Sequence, residues 1–250
     1  AALSGSASTA RGLLGGGGDA FPYTGSAEIT GSLGVTGSVS FSTSSPSSPA
    51  AWSTGGTMIV SRYYLGGTGT ADAALAFGGS GGYTCTEEYN GSSWSTQNAL
   101  STGRYKLSGA GTQNAGLAFG GAGASSVHKC TEEYNGTSWT AVSAMGVGIV
   151  GGGGLGTQNA ALAFGGCGYC TLSEEYNGAS WSTGGTLTNG VDLPAAAGIL
   201  TAGLSFGGND GTAGTYTTAL TEEYNGAAWS SGGSLNQSRG FLSGAGTQTA

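Results

Sequence analysis

The chain has 250 residues, 54 of them glycine, with only 8% charged side chains and a formal net charge of −7. Its 6 lysines and arginines form no basic patch for a phosphate backbone, which argues against nucleic-acid binding. No apolar run approaches the roughly 18 residues of a membrane helix, and no basic amphipathic stretch would lie on a bilayer, so no membrane insertion is expected. Glycine at this level without a period would indicate disorder. Here the glycines recur in register with aromatic and aliphatic residues, as expected of turns and crowded strands. No secretory signal is recognised, and the chain opens at Ala1 without Met, as processing or partial coverage would leave it.

Residues 1–61 read as an N-terminal segment holding a divergent first repeat. Arg11-Gly-Leu-Leu-Gly-Gly and Phe21-Pro-Tyr-Thr-Gly are faint copies of later phrases. Residues 27–40 alternate apolar and small polar side chains between Gly-Ser breaks, which predicts short β-hairpins or a β-solenoid step. The Pro-Ser run 44–49 is a loop signal.

From residue 62 the chain repeats itself. Glu-Glu-Tyr-Asn-Gly, followed by a Trp, occurs four times, around Tyr89, Tyr134, Tyr176 and Tyr224. Ahead of each copy runs Leu-(Ala/Ser)-Phe-Gly-Gly, at Phe77, Phe119, Phe164 and Phe206. Self-similarity every 42 to 48 residues marks an array of one supersecondary unit. The units are 62–103, 104–147, 148–190 and 191–238, with a partial one at 239–250. Each reads as four short strands: a Gly-rich strand, the Leu/Phe strand on a period of two, the Glu-Glu-Tyr strand and the Trp strand. Asn-Gly between the last two predicts a type I′ hairpin turn. No segment carries an apolar stripe of period 3.6.

Four-stranded units at this period predict an all-β chain folded as a β-propeller of about five repeats, either a ring or part of a larger one. The strand nearest the axis has least room, which accounts for one strand of Gly, Ala and Ser per unit. Trp52, Trp94, Trp139, Trp181 and Trp229 then fill the widening space between blades rather than serving as a ligand platform.

A Gly-Gly pair, an aromatic and a Trp at a period near 45 resemble the Kelch repeat. Gly-Thr-Gln-Asn-Ala-(Gly/Ala)-Leu-Ala-Phe-Gly-Gly, at 111–121 and 156–166, is similar to phrases in Kelch-like arrays of phage (cyanophage-type) virion structural and fibre proteins. The resemblance is strong over 62–250 and weak over 11–52, and the 27–40 stretch is similar to phage-fibre stems. It implies a virion surface or extracellular location and partners among other virion subunits, with a homo-oligomer or larger assembly expected.

Length variation is confined. From each Trp to the next unit's second-strand Leu (52 to 75, 94 to 117, 139 to 162, 181 to 204) is always 23 residues. The connection between second and third strands takes up all the difference, over 80–86, 122–131, 167–173 and 209–221, with 26–48 as the long first version. Such loops emerge on one face of a propeller, where insertions commonly build a binding surface. Tyr83, His128, Lys129, Tyr169, Asp210 and Tyr216 are the candidate ligand-binding residues, a set suited to stacking on and hydrogen bonding to host-surface glycans.

Eight of the nine glutamates lie in the repeated pairs, one carboxylate to each side of the strand. One of each pair could meet the recurrent arginine (Arg62, Arg104, Arg239), but Ile149 and Val191 replace it in two units, so a universal ion pair fails. Cys85 and Cys130 read as small strand residues; Cys167 and Cys170 read as a loop disulfide or two free thiols. No metal or cofactor is expected. A single histidine does not suit copper-oxidase propellers, sialidase-type boxes are missing, and evenly distributed glutamates form no glycosidase pair. The expectation is a non-enzymatic virion surface or fibre component that attaches to host carbohydrate. The alternative is an extracellular microbial adhesin or filament subunit that polymerises, by strand donation or otherwise, and is glycosylated at its Asn-x-Ser/Thr sites.

Overall fold

In the computed structural model the described residues are 53–80, 83–123, 127–212 and 216–248. All fall in the second of two compact units, Ala1–Trp52 and Ser53–Ala250. Trp52, the 26–48 loop and the expected first-repeat strands lie outside the described residues. Residues 53–61, grouped with the N-terminal part on sequence, pack on the first blade: the Gly56 carbonyl accepts Trp94 Nε1 at 3.1 Å, and the Ile59 and Val60 amides donate to Glu87.

The described chain contains no helix. Its strands form four antiparallel sheets, each a meander in sequence order. The first blade is β1 (Gly66–Thr70), β2 (Ala73–Phe77), β3 (Thr86–Tyr89) and β4 (Trp94–Gln97). The second is β5 (Ser108–Gly111), β6 (Gly116–Phe119), β7 (Thr131–Tyr134) and β8 (Trp139–Val142). The third is β9 (Gly153–Thr157), β10 (Ala160–Phe164), β11 (Ser173–Tyr176) and β12 (Trp181–Thr183). The fourth is β13 (Ala195–Ile199), β14 (Ala202–Phe206), β15 (Thr221–Tyr224) and β16 (Trp229–Ser231). First strands neighbour one another, β1 on β5, β5 on β9 and β9 on β13, so the blades are arranged about an inner axis as in a β-propeller.

Why the inner strands need glycine is visible at two positions. A Cβ on Gly109 would lie 2.6 Å from Cζ of Phe77 in the preceding blade, and one on Gly154 would lie 2.7 Å from Cζ of Phe119. Phe77, Phe119 and Phe164 are fully buried beneath those strands. Each also meets the Trp of the next blade edge-on: Phe77–Trp139 at 5.0 Å, Phe119–Trp181 at 5.1 Å and Phe164–Trp229 at 4.8 Å. Edge-to-face pairs of this kind add about 0.5–1.5 kcal/mol each beyond the area they bury. Trp139, Trp181 and Trp229 are thus interface packing.

The paired glutamates divide their work across the strand. In the first three pairs the second glutamate accepts the tyrosine hydroxyl of the following blade: Tyr134 to Glu88 at 2.8 Å, Tyr176 to Glu133 at 2.8 Å, and Tyr224 to Glu175. The first is buried within its own blade and ties down the incoming chain. Glu87 and Glu132 pair at 2.9 Å with Arg62 and Arg104, whose Nη1 atoms also cap the carbonyls of Gly78 and Cys85, or Gly120 and Cys130. Backbone amides hold this glutamate with or without arginine: Ile59 and Val60 donate to Glu87 and Ser101 to Glu132, and where Ile149 and Val191 replace arginine Gly146 and Val147 donate to Glu174, Thr188 and Asn189 to Glu222.

The Asn-Gly turns differ from the expected type I′ hairpin. Tyr89 pairs with Trp94, so four residues turn the chain, and only Gly91 (φ 88°) takes a positive φ. Asn90 Oδ1 accepts the amides of Ser92 and Ser93 at 3.0 and 2.9 Å, an Asx turn that closes the loop without left-handed Asn. The same bonds recur at Asn135, Asn177 and Asn225.

The Gly-Thr-Gln phrase also has a physical role. Gln113 reaches back to the carbonyls of Ala74 and Tyr89, Gln158 to those of Gly116 and Tyr134, clamping each blade to its predecessor. Gln248 does the same to Gly203, and the Gly198 amide donates to the Gly246 carbonyl, so residues 239–248 lay the start of a further unit on the fourth blade. Among the described residues no blade follows the fourth. There Phe206 is half-buried, Glu223 is exposed and Thr221 Oγ1 is buried without a partner; at the other end Tyr89 is half-buried.

Candidate functional site

In each meander the end of the second strand lies beside the start of the first. The second-to-third loops (78–85, 120–130, 165–172 and 207–220) therefore share one face with the connections from blade to blade. Every exposed large apolar side chain described, Ile199 apart, sits on that face. The opposite face carries the short hairpins.

At the centre of the face the axis opens as a funnel of about 490 Å³. Its wall is built five times over from one position of the repeat, the residues just before the first strand. Tyr64 (φ 55°), Lys106 (φ 52°), Gly151 (φ 67°), Leu193 (φ 52°) and Phe241 (φ 56°) all occupy left-handed backbone there. For a residue with a Cβ this costs about 1–2 kcal/mol. A belt of inter-blade hydrogen bonds holds it: Lys106 N to Tyr64 O at 2.8 Å, Gly151 N to Lys106 O at 2.9 Å, Leu193 N to Gly151 O at 2.7 Å. The belt fixes the backbone and leaves the side chain free to vary.

The mouth is aromatic with one cation. Tyr63 and Phe241 are each 65% exposed and Tyr64 is partly so, while Lys106 Nζ stands 5.0 Å from the centre of the Tyr64 ring. Asp192 precedes the wall residue Leu193; burial raises its carboxyl pKa, opposed by Lys106 and by the Leu193 amide. Such a surface can stack on a flat apolar ring face and hydrogen-bond its edge. Among the described residues no three His, Cys, Asp or Glu side chains converge as metal ligands.

None of the six residues picked from the sequence lines the funnel. Tyr83, Tyr169 and Tyr216 are exposed on the surrounding loops, Tyr216 at 74%. Lys129 Nζ is held by the Gly146 carbonyl at 2.6 Å, and Asp210 accepts the Thr212 amide at 3.0 Å, which with the Thr212 side chain lowers its pKa. His128 is half-buried; burial first, and Arg104 second, lower its pKa. Among the described residues the third and fourth loops meet, where Asn209 Nδ2 donates to Tyr169 Oη at 3.2 Å. Cys167 and Cys170 are joined as a disulfide in the turn that presents Tyr169, while Cys85 and Cys130 are half-buried free thiols. The residues that sequence reasoning missed, Tyr63, Tyr64, Lys106, Leu193 and Phe241, had one signal: all but Tyr63 stand two places after Arg62, Arg104, Val191 or Arg239.

No family model matches the chain, and no curated protein does. Among solved structures it is similar to that described as "Structure of YjhT", a β-propeller, with a TM-score of 0.60 and 16% identity over 71% of this chain and 67% of the other. That likeness shows the fold, and the fold is a β-propeller.

Proposed function

We propose that this chain is a Kelch-like, non-enzymatic binding module of a virion surface or fibre, carried among other virion subunits, whose funnel face takes host-surface carbohydrate. The observation that carries the reading is the gathering of exposed aromatic side chains on one face, around a funnel whose backbone is held rigid by the inter-blade belt. Aromatic rings supply sugar-stacking area at low conformational cost, and Lys106 with the backbone groups supplies polar contacts. The second-to-third loops form the rim, with Tyr83, Tyr169 and Tyr216 as outer contacts. The phage assignment rests on the Gly-Thr-Gln-Asn-Ala phrases and the fibre-like 27–40 stretch.

The test is saturable adsorption of the labelled protein to candidate host cells and to a glycan array. Tyr64→Ala with Phe241→Ala should abolish binding with little change in Tm, and removal of residues 211–216 should weaken it. Binding that survives the double variant moves the site off the funnel. Absence of binding by the intact protein to any cell or glycan would refute the attachment role and leave an assembly part.

A further inference from the structure

The funnel is charged against the trend of the molecule. The chain carries 13 acidic and 6 basic side chains, for a net charge of −7. Yet the residues that line the funnel include one cation, Lys106, and no aspartate or glutamate. The paired glutamates sit on β3, β7, β11 and β15, each two strands out from the inner one. Of the other described cations, Arg62 and Arg104 are buried in ion pairs with Glu87 and Glu132. Lys129 Nζ is held by the Gly146 carbonyl at 2.6 Å, and Arg239 lies outside the funnel lining.

Lys106 is placed differently. It is half-buried, it has no ion pair among the described residues, and its Nζ stands 5.0 Å from the centre of the Tyr64 ring. The ring face attracts the ammonium and holds it at the mouth without neutralising its charge. The backbone beneath it is fixed from both neighbouring blades, by Lys106 N to Tyr64 O at 2.8 Å and Gly151 N to Lys106 O at 2.9 Å. Asp192 feels the charge of Lys106 without pairing with it. Its Oδ1 lies against Gly151, 2.9 Å from where a Cβ on that glycine would stand, and it does not line the funnel.

A fixed ammonium without a carboxylate partner, beside exposed aromatic rings, suits an anionic group carried on a body that can stack. In a uronic acid the carboxylate is attached directly to the pyranose, so one sugar can lay its ring face on Tyr63 or Phe241 and turn its charge to Lys106. A neutral sugar offers the ammonium only hydroxyls, and a hydrogen bond with both partners charged is stronger than one with a neutral acceptor. Given a funnel that takes carbohydrate, the premise shared with the proposed function, we propose that it selects sugars bearing a carboxylate over neutral ones and that Lys106 sets this selectivity.

The test is binding of the full chain to an array of uronic-acid and neutral oligosaccharides. Each acidic hit is then titrated by calorimetry beside its carboxyl methyl ester, which keeps the sugar and removes the charge. The acid should bind roughly tenfold tighter than the ester. Lys106→Gln should bring that ratio to about twofold or less, and Asp192→Asn, which removes a negative charge near the ammonium, should raise it about threefold. Equal affinity for acid and ester, or hits confined to neutral sugars, overturns the selectivity and leaves the carbohydrate site standing. A ratio that persists undiminished in Lys106→Gln overturns the role of Lys106. An unchanged ratio in Asp192→Asn does the same, and can be read even if the Lys106 variant does not fold. No hit of either kind removes the proposed function and this inference together.

Discussion

Replacing Tyr176 by Phe removes a single hydroxyl from the interface between the second and third blades, and its consequences can be worked through. That hydroxyl donates to Glu133 at 2.8 Å. A hydrogen bond to a charged acceptor contributes about 1.5–3 kcal/mol, and Glu133, half-buried, regains some water when it is lost, which favours the lower figure. A loss of about 1.5 kcal/mol in a chain of this size lowers Tm by about 3–6 °C. The alkaline limb of the stability curve is more telling. Burial first, then the hydrogen bond and charge of the partner glutamate, raise the phenol pKa values of Tyr134 and Tyr176 well above the usual value and that of Tyr224 to about 12. Above pH ~10 the unfolded chain gives up three protons that the native state keeps, so stability falls as pH rises. The contribution is whole below that pH and disappears as pH passes through the native pKa values. Three such groups give a slope of about 4 kcal/mol per pH unit, and Tyr176→Phe should reduce it to about 2.7. Urea unfolding followed by far-ultraviolet circular dichroism from about pH 9 to about pH 12 measures both slopes. An unchanged slope in Tyr176→Phe, or one that persists when all three tyrosines are Phe, would refute the reasoning.

The Gly-Gly pair should be unforgiving at its first position. A Cβ on Gly120 (φ 65°) would lie 2.5 Å from the Ile149 carbonyl, so Gly120→Ala should cost about 3 kcal/mol by urea titration, while Gly168→Ala (φ 73°, open space) should cost only about 1. A comparable cost at both sites would show that backbone strain alone, not the crowded blade interface, governs the first glycine. Arg104→Met leaves Glu132, buried and still bonded to Ser101, without its cation, at a cost of about 3 kcal/mol. A loss below about 1 kcal/mol would mean that backbone amides alone suffice, as they do for Glu174.

What the sequence revealed and what it hid divide along a physical line. Phe119, Trp181 and the Glu132-Glu133 pair are legible because their surroundings recur, so the same chemistry is required in every unit. Asn90-Gly91 was legible as a turn but misleading as to type, since Asn can close a loop through its side chain as well as through its own positive φ. The funnel residues were hidden for the opposite reason. Tyr64, Lys106, Gly151, Leu193 and Phe241 share a backbone conformation and no chemistry, and letters that change from unit to unit look like drift. Only Gly151 carries a residue type that suggests left-handed backbone.

The tyrosine-to-glutamate latch runs in one direction and never beyond the adjacent blade. An added unit brings its own donor for the blade before it and its own acceptor for the blade after it, so both seams close without any change elsewhere. Duplication or exchange of whole units therefore leaves the donor and acceptor of each such seam in place. Every copy gained or swapped also adds one new side chain to the mouth of the funnel, so changes in copy number are at the same time changes in what the face can meet.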